Sequence, residues 1–417
     1  MKLKIYILST GTELTNGKSI DTNSAWIANE LSNLGYPPTR ITILPDKPDL
    51  IKLEISRIMQ ESGEKFIIMT GGLGATADDH TLNVVCEIAK KDTVTNEKAY
   101  EKLLYISEQR GKVYQDILPV SVRQTKVPIG SIVFENEVGL APGFCLYLNE
   151  ETQIAAFPGV PKEMKPMFQR HFLPFFKKVY ETREDTFFSR WIWGIGESIF
   201  QESFIKAHPD LFLNSDVEWG VSVKSGYLNV SFYCEDREKL DQTKKLLTNH
   251  FKDSISTENI FQEIHNLLID TKATVSTAES CTGGLVGKLL TDLPGASSYY
   301  IGSIVAYQNN IKAEYLGVSI STLEQYGAVS PETAKEMAIG IQARFDTNYA
   351  ISVTGIAGPS GGTREKKVGL VYIAIKSNQK EPEVFKYNFN LTREQFREYV
   401  ANIALFHLYK QLEKDYY

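Results

Sequence analysis

Histidine is scarce in this chain of 417 residues: His80, His171, His208, His250, His265 and His407 are all there are. None of them fall at ligand spacing, so a histidine-built metal centre is not expected. Cysteine is rarer still. Cys86, Cys145, Cys234 and Cys281 are scattered with no CxxC pair, which excludes a disulfide framework and a cysteine zinc site and points to the reducing cytoplasm. An excess of basic charge is also missing. The net charge is −6, whereas nucleic-acid partners are held by basic surface, so none is expected. No apolar run reaches the ~18 residues of a membrane span, which excludes a membrane partner of that kind. The opening Met1-Lys-Leu-Lys-Ile-Tyr-Ile-Leu8 is short and runs into polar Ser9-Thr-Gly-Thr-Glu13 without a cleavage pattern. It reads as a buried first strand rather than a leader. Internal repeats and low-complexity tracts are absent as well.

What is present is ordinary globular material, 42% hydrophobic and 23% charged, at a length that suggests two to four domains. Strand-like runs alternate with amphipathic helical ones, so a largely parallel α/β sheet is expected, with ligands beyond the carboxyl ends of its strands. Glu13, Asp46 and the turn Thr70-Gly-Gly-Leu-Gly-Ala-Thr-Ala-Asp-Asp79 fall at those ends. The glycines let backbone N–H groups approach a phosphate, and Asp78 and Asp79 offer hard oxygen ligands to a divalent ion. A plain strand-to-helix turn with a capping aspartate accounts for the same residues. The charge rise at 181–185 and the polar segment 252–259 read as boundaries. Between them lies a small α+β module with Gly194-Ile-Gly-Glu-Ser198, whose glycine spacing is wrong for a nucleic-acid clamp. A spacer or dimerisation role suits it better.

The stretch Val275 to Lys312 carries the clearest chemistry. A β-branched entry breaks into Glu279-Ser-Cys-Thr-Gly-Gly284, and a turn follows at Pro294-Gly-Ala-Ser-Ser298. An apolar run then leads to Tyr307 and Lys312. A serine near a lysine of suppressed charge is a nucleophile and base that need no histidine, which suggests amide hydrolysis. Cys281 competes as nucleophile, because a thiolate is intrinsically stronger; with Glu279 and Lys312 it would compose a Cys-Glu-Lys set.

These words, in this order, resemble the CinA family over nearly the whole chain. Gly11-Thr-Glu-Leu14, Asp21-Thr-Asn-Ser24 and Thr70-Gly-Gly-Leu-Gly74 with Asp78-Asp79 are similar to its molybdopterin-binding-like (MoeA/MogA-like) domain. The module around Gly194–Ser198 resembles its KH-type linker. Ala278-Glu-Ser-Cys-Thr-Gly-Gly284, Pro294-Gly-Ala-Ser297, Gly327-Ala-Val-Ser330 and Thr354-Gly-Ile-Ala-Gly-Pro359 resemble its C-terminal domain. The resemblance implies a three-layer α/β/α domain over 1–180, an α+β module over 181–254 and an α/β/α amidase domain over 255–417. It also implies a cytoplasmic homodimer.

Two activities follow from the resemblance. The C-terminal domain is expected to convert nicotinamide mononucleotide (NMN) and water to nicotinic acid mononucleotide and ammonia, without a cofactor. Ser297 would be the nucleophile, assisted by Tyr307 and Lys312. Glu279, Ser280, Thr282, Gly283, Gly284, Thr354, Gly355 and Gly358 would bind substrate. The N-terminal domain is expected to be an ADP-ribose pyrophosphatase. Thr70, Gly71, Gly72, Gly74, Thr76 and Asn23 would hold phosphate, and Glu13, Asp46, Asp78 and Asp79 a magnesium, manganese or cobalt ion. Two positions depart from the family pattern: Ala75 stands for the usual proline and Thr12 for the frequent aspartate. A function of a different class, a regulatory scaffold tied to competence or DNA damage, is the alternative that the family's name suggests.

Overall fold

Lys4–Thr10 is a run of seven residues of which six are buried, as a strand covered on both faces requires. In the computed structural model, which describes residues 3–110, 118–181, 186–213, 215–378 and 380–416, this run is β1. Thr22–Asn33 (α1), Arg40–Leu44 (β2), Pro48–Met59 (α2), Lys65–Thr70 (β3) and Thr81–Ala89 (α3) follow. Thr93–Thr95 (β4) and Lys126–Pro128 (β5) form a small ribbon on either side of Glu97–Arg110 (α4). Ile132–Phe134 (β6), Gly143–Asn149 (β7) and Thr152–Phe157 (β8) complete a sheet in the order β2-β1-β3-β8-β7-β6, and Pro161–Met167 (α5) follows. β2, β1, β3 and β8 run parallel, whereas β7 runs antiparallel to both its neighbours, β8 and β6.

Alternate side chains enter two cores, as the strand period of two demands. Ile5, Ile7, Phe66, Ile68 and Phe157 pack against α1 and the aromatic row Phe168, Phe172, Phe176. Tyr6, Leu8, Ile67 and Met69 pack against α2 and α3. Because β2 lies on one side of β1 and β3 on the other, the chain order reverses at β1. That switch point opens a crevice at the carboxyl ends.

The chain divides into two compact units, Met1–Phe187 and Phe188–Tyr417. Of the charged boundary segment, residues 182–185 lie outside the described part. The second unit holds two sheets. Phe187–Trp193 (β9), Glu218–Lys224 (β10), Tyr227–Tyr233 (β11) and Ile255–Ser256 (β12) form one, in the order β10-β11-β9-β12, with the helix Arg237–His250 (α6). After Ile260–Thr271 (α7) come Val275–Glu279 (β13), Leu285–Leu290 (α8), Tyr300–Val305 (β14), Asn309–Leu316 (α9), Pro331–Phe345 (α10) and Tyr349–Gly355 (β15). Leu370–Ser377 (β16), Glu383–Asn388 (β17) and Arg393–Tyr416 (α11) close the second sheet, ordered β14-β13-β15-β16-β17. β14, β13 and β15 are parallel. Trp193 of β9 is buried in the core of this second sheet and stacks on Phe406 of α11. Among the described residues, no helix is long and apolar enough to cross a membrane.

Candidate active site

β13 delivers Glu279 and Ser280 to the carboxyl end of the second sheet. There the chain turns through Gly283 and Gly284, whose φ values of 61° and 94° lie in the left-handed region that favours glycine. Glu279 is fully buried. One carboxylate oxygen accepts the N–H of Gly284 (2.9 Å) and of Val286 (3.1 Å), and the other that of Gly287 (2.8 Å). The expectation that Glu279 binds substrate is therefore corrected: its oxygens are engaged in holding the turn. The Gly283 N–H donates to the Ser280 carbonyl, so neither Gly283 nor Gly284 offers a free donor to an oxyanion.

Lys312 projects from α9 toward this turn. It is 1% exposed, and its Nζ lies 2.6 Å from the Ala306 carbonyl, 3.1 Å from Ser280 Oγ and 3.5 Å from the Tyr307 carbonyl. No carboxylate pairs with it among the described residues. Burial without a counter-ion disfavours the ammonium, and the pKa falls from 10.5 to about 8. The neighbouring Cys281 responds in the opposite sense, because burial pushes its thiol up to about 12. A thiol at neutral pH is a poor nucleophile, so the Cys-Glu-Lys set loses both its thiolate and its free glutamate.

Ser297 is not brought to Lys312. It sits in the exposed turn Ala296–Ser298, before the amino end of β14, whereas Lys312 reaches Ala306 at the carboxyl end. A six-residue strand of ~3.3 Å per residue separates the two ends by ~20 Å. Tyr307 is exposed, and its hydroxyl accepts from Arg393 Nη2 at 2.6 Å rather than linking Ser297 to the lysine.

The remaining expected substrate contacts are largely engaged in packing. The buried Thr354 hydroxyl donates to the Ala328 carbonyl (2.6 Å). Gly355 lies where a Cβ would meet the Leu370 carbonyl at 2.8 Å. Thr282 is buried, and its carbonyl accepts both Arg397 Nε (3.2 Å) and Nη2 (2.9 Å). The Gly358 carbonyl accepts Arg393 Nη1 at 2.9 Å. The two arginines, one turn apart on α11, were not expected from the sequence. They meet only carbonyls and a phenol, with no carboxylate among the described residues, so their positive charge is uncompensated beside the Ser280 turn.

In the first unit, Glu13, Asp46, Gly71, Gly72, Gly74, Asp78 and Asp79 line one cavity of about 620 Å³. The crevice was thus legible, but several roles in it were not. Asn23 donates to Thr70 Oγ1 (2.9 Å) and to the Gly159 carbonyl (2.8 Å), and Thr70 donates to the Pro158 carbonyl (3.1 Å). Both side chains tie β3 to the loop after β8 rather than reaching for phosphate. The Gly71 N–H is held by the Phe157 carbonyl. Asp79 accepts the Thr76 N–H (2.8 Å) and hydroxyl, and Thr76 holds the exposed Asp78 carboxyl below the usual carboxylate range. Asp46 accepts the Thr12 N–H at 2.7 Å and returns its own N–H to the Thr12 hydroxyl at 3.3 Å. A threonine at position 12 therefore removes a carboxylate and supplies the acceptor Asp46 uses. Among the described residues, no three His, Cys, Asp or Glu side chains stand together as an ion would need. The expected metal set lines the cavity without converging, and the residues do not fit the ion.

Comparison with known proteins supplies the rest. The family model of the CinA C-terminal domain matches residues 257–412, and that of a probable molybdopterin binding domain matches residues 6–178. A CinA-like protein of Leptospira interrogans is 44% identical over 99% of both chains. The chain belongs to the CinA family. A CinA-like protein of Endomicrobium trichonymphae is 36% identical over 97% of both chains. A relative from Halothermothrix orenii, a putative competence-damage inducible protein, is 35% identical over 98% of both. The crystal structure of a competence/damage inducible protein from Agrobacterium tumefaciens is 38% identical, covering 37% of this chain and 93% of its own, with a TM-score of 0.36. The expected α/β architecture and the CinA-type C-terminal domain hold. In this CinA chain, Arg397 of α11 meets the Thr282 carbonyl within the motif Ala278–Gly284.

Proposed function

We propose that the second unit hydrolyses the carboxamide of nicotinamide mononucleotide, with Ser280 as nucleophile and Lys312 as base. The observation that carries this reading is the 3.1 Å contact between Ser280 Oγ and the buried, counter-ion-free Nζ of Lys312. Ammonium Lys312 donates to Ser280. Once neutral, it accepts the serine proton instead, and Oγ attacks the carboxamide carbon. The C–N bond then breaks as Lys312 returns the proton to the departing ammonia. Water, deprotonated by the same amine, clears the ester and releases the acid and the serine. Arg393 and Arg397 supply the charge for the nucleotide phosphate, as planar bidentate donors do.

The test is ammonia release from nicotinamide mononucleotide by the full chain. Ser280→Ala and Lys312→Met are expected to lose about a thousandfold or more of kcat, as removal of a covalent nucleophile or its base does. Ser297→Ala and Cys281→Ser are expected to keep wild-type rates. Full activity in Ser280→Ala, or its loss in Ser297→Ala, overturns the assignment.

For the first unit we propose nucleotide binding in the 620 Å³ cleft, a volume suited to small ligands, with ADP-ribose as the ligand the family resemblance implies. No hydrolytic step is assigned to a divalent ion, because the carboxylates do not converge. ADP-ribose binding, followed by calorimetry, is expected to be unchanged by EDTA. AMP release that requires a divalent metal overturns this reading.

A further inference from the structure

A second cavity of the first unit, of about 380 Å³, shares no lining residue with the 620 Å³ cleft. Its size is within the range of small-ligand pockets. The floor is sheet. Ile132 of β6 pairs with Cys145 of β7, and Tyr147 of β7 pairs with Gln153 of β8. Because side chains alternate along a strand, these four share one face. It is the face on which Cys145 joins the aromatic core. Phe175 and Val179 of the helix Leu173–Val179 line the cavity as well. Ile129, before β6, and Lys91, just after α3, complete it.

Ile129, Ile132, Tyr147 and Val179 are each between 46% and 60% exposed. A lone apolar side chain on a surface needs no account. Four around one opening leave apolar area that a flat ligand would cover. Two polar groups add direction. Gln153 is 3% exposed, and its carboxamide oxygen accepts the Tyr180 hydroxyl at 3.3 Å. Its Nε2 meets no acceptor among the described residues. A buried amide N–H left unpaired is costly, and the cavity that Gln153 lines is where an acceptor can reach it. Lys91 is exposed, and its ammonium forms no ion pair or hydrogen bond among the described residues. No carboxylate is among the residues described as lining the cavity.

We infer that this cavity binds a heteroaromatic carboxylate, with its carboxylate on Lys91 and a ring acceptor on the Gln153 amide. The ring lies against Phe175 and the aliphatic walls, where an aromatic body gains most from burial. One ammonium and one amide donor suit a monoanion; a phosphate would ask for more donors than this lining offers. The site is independent of the chemistry proposed for either unit.

The test is a ligand-observed NMR titration of the full chain with quinoline-4-carboxylate, whose ring nitrogen lies opposite its carboxylate. Wild type is expected to bind it with a Kd below about 1 mM, as a well-housed ligand of this size does. Val179→Trp fills the opening from an exposed position and should abolish binding while keeping the wild-type circular dichroism. Lys91→Met leaves the core untouched and should weaken the carboxylate about threefold, as loss of an exposed charge pair does. It should leave binding of the neutral quinoline-4-carboxamide unchanged. Gln153→Leu should weaken quinoline-4-carboxylate about fivefold, the loss of one neutral hydrogen bond. Naphthalene-1-carboxylate, which lacks the ring nitrogen, should bind that variant as it binds wild type. The inference is overturned if wild type does not bind the probe up to about 1 mM, or if folded Val179→Trp binds it like wild type. It is equally overturned if Lys91→Met leaves the carboxylate unaffected or weakens the carboxamide as much.

Discussion

A lysine at 1% exposure with no carboxylate partner is a liability for the fold and an asset for proton transfer. Folded Lys312 gives up its proton near about 8, whereas the unfolded side chain holds it to 10.5. Between those values the unfolded state binds more protons, so stability rises with pH across that window. Below it, the ammonium is carried at full penalty. Replacing Lys312 by Met removes the charge at similar volume, and such replacements of buried charge are often stabilising by ~1 kcal/mol or more. Urea unfolding at pH 7 is expected to show Lys312→Met at least as stable as wild type, and the rise in stability above about pH 8 should vanish. Activity should run the other way. In the wild type, ammonia release should climb with pH to a plateau, with its midpoint near the lysine value of about 8. A flat profile from pH 6 to 9 removes Lys312 from the role of base.

At the scale of the element, the β13–α8 turn shows what local sequence can and cannot tell. Ala278–Gly284 reads plainly as a strand breaking into a helix, and the turn is found there. Three of the acceptor contacts of Glu279 are to its own backbone, five to eight residues ahead, and they make it the holder of the turn. Gln has one carbonyl oxygen in place of two charged ones. Glu279→Gln should therefore leave at least one buried N–H unpaired and destabilise the second unit by ~1–3 kcal/mol. Its kcat should fall further than its stability, since the turn aims Ser280 at Lys312. Thermal melts and ammonia release, compared with Glu279→Asp, check both. The partner of Lys312 was misread for a topological reason. Ser297 and Lys312 are close in sequence but flank β14, and a strand carries the chain from one edge of the sheet to the other. Ser280, 32 positions away, arrives through the adjacent parallel strand. Arg393 and Arg397 were invisible for the same reason, since the latter meets Thr282 across 115 positions. In the first unit the switch-point crevice was legible from alternating strands and glycines. Which hydroxyls and N–H groups were already engaged was not, because Asn23, Thr70 and the Gly159 loop meet across 136 positions.

Within the second unit the middle sheet keeps a core of its own, yet one of its tryptophans belongs to the core of the last sheet. Trp193 is 2% exposed, stacks on Phe406 with centroids 5.2 Å apart, packs on Tyr227 and Phe261 and donates its indole N–H to Ser256 at 3.0 Å. Sequence boundaries drawn at charged segments separate β9 from α11, whereas burial joins them. If that joint is what couples the two sheets, they should unfold in one calorimetric transition distinct from that of residues 1–187. Trp193→Ala should destabilise that transition by ~3–5 kcal/mol, the cost of deleting a large buried aromatic. For a unit of this size the shift is about 10 °C. Trp193→Phe keeps the stacked ring and loses the indole N–H, so it should cost only ~1 kcal/mol. The first unit's transition should not move in either variant. A Trp193→Ala protein whose second transition stays in place would mean that the two sheets of this unit are held together by other contacts, such as Asn402 on the Ser225 carbonyl.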